Sequence, residues 1–257
     1  MRKIILSHQK NIRDLGGLVG YRGKKVKNGR IYRGGHLATV SSEDVEIINS
    51  LNLTDIIDFR GEYEFNNRHD YPFEGVEFHN YPALINDIKK DNNESEDSNL
   101  LWFLAEDLDG FKHMYNIYPY VAVSEAGIDA FRKFFSLLVS KTDGVFYFHC
   151  SQGKDRAGLA AYFLEIALGV SKEDAFNDYM LTNEAMEIRI KNLKESVKNK
   201  PYFNKQYEKA MEEVFAVDPR YLNHALEVIE EKFGSMDNYL VNVLKVDIKR
   251  LRKIYLE

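Results

Sequence analysis

Residues 144–169 constrain the fold of this chain more than any other segment. They start with the short apolar run Gly144–Phe148, which is rich in aromatic residues and typical of a buried strand. From Lys154 to Leu168 the larger apolar residues recur at helical spacing, namely Leu159, Phe163 and Ile166. Gly169 then stands where a glycine commonly ends a helix. The sequence therefore predicts a strand, a tight loop and a helix in direct succession.

The loop between this strand and helix contains the only cysteine of the chain, Cys150, and an arginine six positions later, Arg156. Such a turn directs unpaired backbone N–H groups and the positive end of the helix at one point, which favours an anion such as phosphate. The same field favours the nucleophilic thiolate of a cysteine. A guanidinium can hold two phosphoryl oxygens. The predicted phosphate-binding residues around this pair are Ser151, Gln152, Gly153, Lys154 and Ala157.

Composition narrows the function classes further. The chain has 257 residues, of which 44% are hydrophobic, enough for a sizeable core. Its net charge of −5 argues against a nucleic-acid partner and gives no general attraction to anionic membranes. A single cysteine excludes an internal disulfide. The N-terminal residues do not resemble a signal peptide, and we expect no transmembrane segment and a cytoplasmic location, with signal-independent secretion left open.

Strands that alternate with helices predict an α/β fold, in which a mostly parallel sheet is flanked by helices. Apolar runs at 53–59 and 76–80 indicate two further strands, and the glycines and basic residues of 19–33 indicate a hairpin. Helix starts are predicted at Ser41 or Ser42, near Ser124 after an aromatic cluster at 115–120, and at Ser171, Asp218 and Met236. We expect one domain over residues 1–257, with a cap or lid insertion at about 83–127 and a helical C-terminal part. Ligands of such sheets bind beyond the carboxyl ends of the strands, where Cys150 is predicted to lie.

Four segments together carry a resemblance to a known family. They are Asn11–Gly17, Tyr32–Gly34, Asp58–Arg60 and the loop His149–Gly158. With them the chain resembles, over nearly its whole length, the bacterial tyrosine phosphatases known from mycobacterial and listerial dual- and triple-specificity enzymes. The resemblance implies a cysteine-phosphatase fold without metal or other cofactor. It also implies a phosphorylated protein as substrate, through phosphotyrosine and in some members phosphoserine or phosphothreonine, or a phosphoinositide.

The residues predict a two-step reaction with a general acid. Cys150 would attack phosphorus to give a phosphocysteine, which water then hydrolyses, and a tyrosine leaving group of pKa about 10 would need a proton as it departs. Asp155 is the leading candidate for that acid because it lies inside the loop, although a carboxylate there could also serve only the helix N-terminus. Asp58, at the end of its predicted strand, is the runner-up, and Asp107 and Asp109 are weaker candidates.

Other polar residues of the four segments are expected to support the loop. Arg13 and Asp14 are predicted to form an ion pair, and Arg60 and Glu64 to do likewise. His149 is predicted to be a hydrogen-bonded support rather than an acid–base catalyst. Two alternatives stay open for Lys154, which either faces solvent at the helix start or contacts the phosphate group or a second phosphate of an inositol ring.

Two residues of the loop differ from the family pattern. Ala157 replaces a hydroxyl residue that would stabilise the departing thiolate, so phosphoenzyme hydrolysis is expected to be slow. Gln152 replaces an alanine, and its amide would orient water or point away. Because of Ala157, a phosphate-binding module with weak or lost activity is one alternative to an active phosphatase. A rhodanese-like sulfurtransferase is another, since that kind of enzyme also places a cysteine in a strand-to-helix loop. A metal-dependent phosphatase is not expected, since the seven histidines show no paired spacing with carboxylates.

Overall fold

A six-stranded sheet forms the centre of the computed structural model, which describes residues 3–7, 9, 11–84 and 109–257. The strands are β1 Lys3–Ile4, β2 Ile12–Asp14, β3 Ile31–Gly35, β4 Asp55–Asp58, β5 Glu77–Asn80 and β6 Phe146–Cys150. Their order is β1-β2-β3-β6-β4-β5. The four strands from β3 to β5 run parallel to one another, whereas β1 and β2 add antiparallel pairings at one edge. The prediction of an α/β architecture is confirmed.

Helices flank this sheet and make up most of the C-terminal half. Numbered over the described residues, they are α1 Ser42–Asn49, α2 Glu62–Asn67, α3 Gly110–Val123, α4 Glu125–Ser140, α5 Arg156–Leu168, α6 Lys172–Val197, α7 Lys205–Phe215, α8 Pro219–Phe233, α9 Met236–Asn238 and α10 Ile248–Tyr255. A π-helical turn, Tyr239–Val243, follows α9. The starts predicted at Ser41, Ser171 and Asp218 are confirmed, since each side chain accepts a hydrogen bond from the first helical turn.

The alternation of side chains along β6 places the loop cysteine. Successive residues of a strand point to opposite faces of the sheet. Phe146, Phe148 and Cys150 belong to the larger hydrophobic core, which the helices of the C-terminal half cover. Tyr147 belongs instead to the smaller core on the other face, together with Ile48 of α1. The side chain of Cys150 therefore lies on the helix-rich side of the sheet.

Two predicted elements differ from the structure. The strand predicted at 144–148 begins at Phe146 and extends through Cys150, because it pairs with β3 on one side and β4 on the other. The hairpin predicted at 19–33 reduces to a single bridge between Val19 and Lys25. The last residues of the predicted hairpin, 31–33, belong to β3, which pairs with β2 and β6 instead. Tertiary pairing therefore overrides the local pattern.

The helix predicted from about Ser124, after the aromatic cluster at 115–120, is confirmed as α4, whose N-cap is Ser124. The cluster itself lies inside the preceding helix, α3, which includes Pro119. A proline within a helix leaves the carbonyl four residues earlier without its N–H partner. Here Nδ1 of His224, in α8, lies 2.8 Å from the oxygen of Tyr115, and the two rings stack with centroids 3.8 Å apart. This contact gives the Tyr115 carbonyl a partner and joins α3 to α8.

Residues 85–108 of the predicted cap lie outside the described residues, and α3 is its main described part. Within the described part of the chain, no helix is both long and apolar enough to cross a membrane.

Candidate active site

The loop after β6 forms the centre of the candidate site. Cys150 ends the strand, and residues 151–155 lead directly into α5, which begins at Arg156. The predicted succession of strand, loop and helix is confirmed. Since β6 lies between β3 and β4, the loop lies at the carboxyl end of the middle of the sheet. Cys150 is only 2% exposed and is paired across the ladder with Gly35.

Two residues from other parts of the chain, Asn11 and Arg33, donate hydrogen bonds to carbonyl groups of the loop. Nδ2 of Asn11 donates hydrogen bonds to the oxygens of Gln152 and Gly153, each at 3.1 Å. Arg33 donates a third, to Gly153, at 3.0 Å. Neither Asn11 nor Arg33 lines the cavity of the site. The carbonyl oxygens, which would repel an anion, are therefore bound by donors outside the cavity.

Gly153 brings the loop against β3. Its φ is +67°, in the left-handed region that favours glycine. A Cβ at this position would stand 2.2 Å from the carbonyl carbon and oxygen of Gly34 and 2.7 Å from the nitrogen of Gly35. The close approach of the two backbones thus requires glycine.

Arg156 forms a bidentate ion pair with Glu64, a residue of α2. Its Nη1 lies 2.5 Å from Oε2 of Glu64, and its Nη2 lies 2.8 Å from Oε1. The hydroxyl of Ser151 donates to the same carboxylate and accepts from Nη2 of Arg156 at 3.1 Å. Glu64 also accepts from the N–H of Gly61 at the start of α2. Because two-point carboxylate pairs fix the plane of a guanidinium, Glu64 orients Arg156 at the loop.

Asp155 occupies the N-cap position of α5, but its side chain makes no capping hydrogen bond. Its Oδ1 instead accepts from the hydroxyl of Tyr118, in α3, at 2.7 Å, and lies 3.1 Å from Nζ of Lys154. The side chain is 24% exposed and lines the cavity. No capping hydrogen bond thus supports the alternative in which Asp155 serves only the helix N-terminus.

Lys154 is only 3% exposed. The alternative in which Lys154 faces solvent at the helix start is therefore wrong. Its Nζ lies 2.5 Å from the oxygen of Val214 and 3.2 Å from that of Ala216. These carbonyls belong to the last turn of α7 and the residue after it, where helices leave oxygens without backbone partners. Lys154 thus ties the loop to the end of α7.

A cavity of about 140 Å³ opens over the loop. Six of its lining residues come from the loop, namely Cys150, Ser151, Gln152, Lys154, Asp155 and Arg156. The rest of the lining is mostly apolar and comes from α3, the end of α7 and Leu84, with His113 as the polar exception. A thiol, a carboxyl group and a guanidinium therefore share one cavity whose outer wall is apolar.

The support expected from Arg13 and Asp14 takes a different form, and the predicted ion pair between them is absent. Arg13 pairs with Asp178, in α6, at 2.7 Å, and Arg33 pairs with the same carboxylate at 2.6 Å. Asp14 accepts from the backbone N–H groups of Gly16 and Gly29. The three charged side chains of the cluster around Asp178 are at most 3% exposed. This buried cluster reaches the loop through the bond from Arg33 to Gly153.

Asp58 and Arg60 pair with each other, at 2.8 Å, and the predicted pair of Arg60 with Glu64 is not formed. Arg60 also lies 3.3 Å from Asp70. Nε2 of His149 is 2.9 Å from Asp70, and its Nδ1 is 3.7 Å from Asp58. Burial lowers the pKa of His149, but the two carboxylates outweigh burial and raise that pKa above its usual value. Asp58 does not line the cavity, whereas Asp155 does.

The two weaker candidate acids, Asp107 and Asp109, precede α3 in the sequence. Asp109 caps α3 by accepting from the N–H of Lys112, and Asp107 lies outside the described residues.

In two groups of described residues, three side chains that could bind a metal have ligand atoms within 4.8 Å of one another: Asp55, Glu77 and His79, and Asp58, Asp70 and His149. Each group already pairs with a positively charged side chain of the protein. In the first group, Nζ of Lys141 lies 2.6 Å from Asp55 and 2.7 Å from Glu77. In the second group, Arg60 pairs with Asp58 at 2.8 Å. Neither group borders the cavity.

Sequence reasoning missed several partners in the site. Glu64 orients Arg156 rather than pairing with Arg60. Tyr118 is marked in the sequence only as a member of an aromatic cluster, and Asp178 is one of several acidic residues on its helix. No local pattern identifies these residues, because the contacts join elements that are far apart in sequence; Tyr118 and Asp155 are 37 positions apart and Arg13 and Asp178 are 165.

Comparison with known proteins agrees with this geometry. The family model described as the tyrosine phosphatase family matches residues 4–257. The chain belongs to the tyrosine phosphatase family. A protein of Cupriavidus necator named "putative tyrosine-protein phosphatase" is 31% identical to this phosphatase over 261 residues, which cover 96% of this chain and 85% of the relative. The chain is therefore a phosphatase enzyme, and a phosphorylated compound is its substrate.

Proposed function

We propose that this phosphatase hydrolyses phosphotyrosine through a phosphocysteine intermediate on Cys150. The observation that carries the proposal is the presence of Cys150, Asp155 and Arg156 in the lining of one cavity at the start of α5. The cavity holds the three chemical groups that the reaction needs, namely a nucleophile, an acid and an oxyanion-binding cation.

In the first step the thiolate of Cys150 attacks phosphorus while Arg156 and the backbone N–H groups of the loop hold the phosphoryl oxygens. A sulfur–phosphorus bond forms as the bond from phosphorus to the phenolic oxygen breaks. Asp155 gives its proton to that oxygen, so tyrosine leaves as a neutral phenol. Asp155 suits this role better than Asp58, since Asp58 is bound by Arg60 away from the cavity.

In the second step water attacks the phosphocysteine. The carboxylate of Asp155 takes a proton from the water, the sulfur–phosphorus bond breaks, and phosphate leaves as Cys150 returns to the thiolate. The proton given up in the first step is regained in the second, so the enzyme ends as it began. Ala157 supplies no hydroxyl to the departing thiolate, which makes this step the slower one with good leaving groups.

The cavity wall favours an aryl phosphate. The residues above the loop include Met114, Ile117 and Val121 of α3 and Phe215 of α7, which suit an aromatic ring. A phosphoinositide would need further cations for its other phosphates. Nζ of Lys154, the loop cation considered for that role, is bound to the carbonyls of Val214 and Ala216. The contacts therefore support a phosphorylated protein over a lipid.

The remaining expectations belong to the same proposal. We place the catalytic unit over residues 1–257, with α3 as part of a cap over the cavity. A thiolate nucleophile without a second cysteine functions best in a reducing compartment, which supports the cytoplasm.

A substrate panel tests the proposal. Peptides with phosphotyrosine, phosphoserine or phosphothreonine are compared with phosphoinositide vesicles, and the Cys150→Ser variant is the blank. Phosphotyrosine peptides should be hydrolysed fastest, and only by the enzyme with Cys150. Faster hydrolysis of the lipid, or activity that survives in Cys150→Ser, would contradict it.

A further inference from the structure

A buried tyrosine chain ends on one oxygen of Asp155. Tyr118 is fully buried in α3, and its hydroxyl donates to Oδ1 of Asp155 at 2.7 Å. The hydroxyl of Tyr179, in α6, donates to that of Tyr118 at 2.8 Å. Nζ of Lys154 lies 3.1 Å from the same Oδ1. Both of these contacts fall on Oδ1.

The direction of the chain follows from the number of protons. A phenol has one proton, and an ionised carboxylate can only accept. Burial, followed by the neighbouring Asp155, raises the pKa of Tyr118 well above its usual value, so this phenol keeps its proton at neutral pH. Tyr118 therefore donates to Asp155 and accepts from Tyr179.

Two donors on Oδ1 decide where Asp155 can hold a proton. A proton on Oδ1 would point towards the Tyr118 hydroxyl and the Lys154 ammonium group, which are both proton donors, and would weaken these contacts. A proton on Oδ2 leaves both contacts intact. We propose that Tyr118 is a positioning residue that confines the catalytic proton of Asp155 to Oδ2 and directs that oxygen at the leaving group; this inference rests on the proposed function.

The contact with Tyr118 suits both steps of the reaction. When Asp155 is protonated on Oδ2, Oδ1 still accepts from Tyr118. When Asp155 is ionised, the same bond stabilises the carboxylate. The carboxyl group can therefore give and regain its proton without rotating.

The test is the Tyr118→Phe variant, assayed with phenyl phosphate and with 4-nitrophenyl phosphate, whose leaving group needs little protonation. A complete general acid contributes on the order of 10²-fold or more, and a misplaced acid should lose part of that. We expect kcat/KM, which reports the first chemical step and not the hydrolysis of the intermediate, to fall about 10-fold for phenyl phosphate and to change little for 4-nitrophenyl phosphate. The alkaline limb of the kcat/KM profile should move upward by about one pH unit, because the ionised carboxylate loses a donor.

Tyr221→Phe is the matched control. Tyr221 is also buried and lies against Tyr118, with ring centroids 5.7 Å apart, but its hydroxyl donates to the carbonyl of Glu213. It should leave the ratio between the two substrates and the pH profile unchanged. Tyr179→Phe, which keeps the bond from Tyr118, should move both readouts in the same direction as Tyr118→Phe but less.

Four outcomes separate the inference from the function on which it rests. A substrate-selective loss with a shifted alkaline limb supports the role of Tyr118. Equal losses with both substrates, or an unshifted profile in a folded Tyr118→Phe enzyme, would overturn it while Cys150-dependent hydrolysis stands. If Tyr118→Phe does not fold, an unchanged substrate ratio and profile in Tyr179→Phe would overturn it. Activity that does not depend on Cys150 would overturn the proposed function itself.

Discussion

Replacing Gly153 with alanine should damage both the stability and the activity of this phosphatase. The residue has φ of +67°, and a left-handed backbone costs an alanine about 1–2 kcal/mol. The new Cβ would stand 2.2 Å from the carbonyl of Gly34. Relief of such overlap in a packed interior costs about 1–3 kcal/mol. The free energy of unfolding should therefore fall by about 2–5 kcal/mol.

The overlap cannot be relieved at little cost, because both backbones are fixed. Gly34 and Gly35 pair with His149 and Cys150 in the sheet. The carbonyl of Gly153 is itself bound by Asn11 and Arg33. A shift of the loop would break these bonds and misplace the N–H groups that hold phosphate in the proposed mechanism. We therefore expect kcat/KM for 4-nitrophenyl phosphate to fall along with stability.

Urea unfolding measures the first effect, and Gly75→Ala is the matched control. Gly75 has φ of +74°, and apart from its chain neighbours no atom lies within 4 Å of the position that a Cβ would take. Alanine there incurs only the backbone cost of about 1–2 kcal/mol. The difference between the two variants isolates the overlap with Gly34. Equal destabilisation of both variants, with full activity in Gly153→Ala, would refute the reasoning.

Three further predictions concern the buried charges and the second chemical step. Asp178→Asn leaves Arg13 and Arg33 without their carboxylate and should lower the unfolding free energy by about 3–5 kcal/mol. The control is Glu184→Gln, at the exposed pair with Lys3, which should cost less than about 1 kcal/mol. Similar urea midpoints for the two variants would argue against a buried network. The pKa of His149 lies above its usual 6.5, so its pairing with Asp70 contributes fully below about pH 6.5, and this stability is lost as pH rises through the raised pKa. Unfolding free energies from about pH 5 to 8 should thus fall more steeply with pH in the parent than in Asp70→Asn, and parallel curves would contradict the pairing. Ala157→Ser should shorten the slow phase that follows an initial burst of 4-nitrophenol, and a parent enzyme without a burst would show that the second step is not limiting.

Much of the fold follows from local patterns in the sequence. The run before Cys150, the helical spacing after it and Gly169 predict the central strand, loop and helix. Side chains at Ser41, Ser171 and Asp218 mark helix starts because their hydrogen bonds to the first turn are local. The loop of the candidate site is equally local, since Cys150, Asp155 and Arg156 lie in one segment that joins β6 to α5.

The support of the loop could not be predicted in this way. Arg13 has an acidic neighbour in the sequence, Asp14, but binds Asp178 in a distant helix. Lys154 follows the pattern of an exposed helix start, yet α7 places carbonyl oxygens against it. These pairings depend on which helices pack over the sheet, and charge alone does not specify them.

Trapping the phosphoenzyme tests the central claim most directly. Asp155→Asn should still form the intermediate from 4-nitrophenyl phosphate, whose leaving group needs little protonation, but should hydrolyse it slowly because the base is missing. After rapid quenching, mass spectrometry of the digested protein locates the phosphoryl group. We predict one phosphoryl group on the sulfur of Cys150. A phosphoryl group on His149 or another residue, or phosphate release without any phosphoenzyme, would contradict the claim.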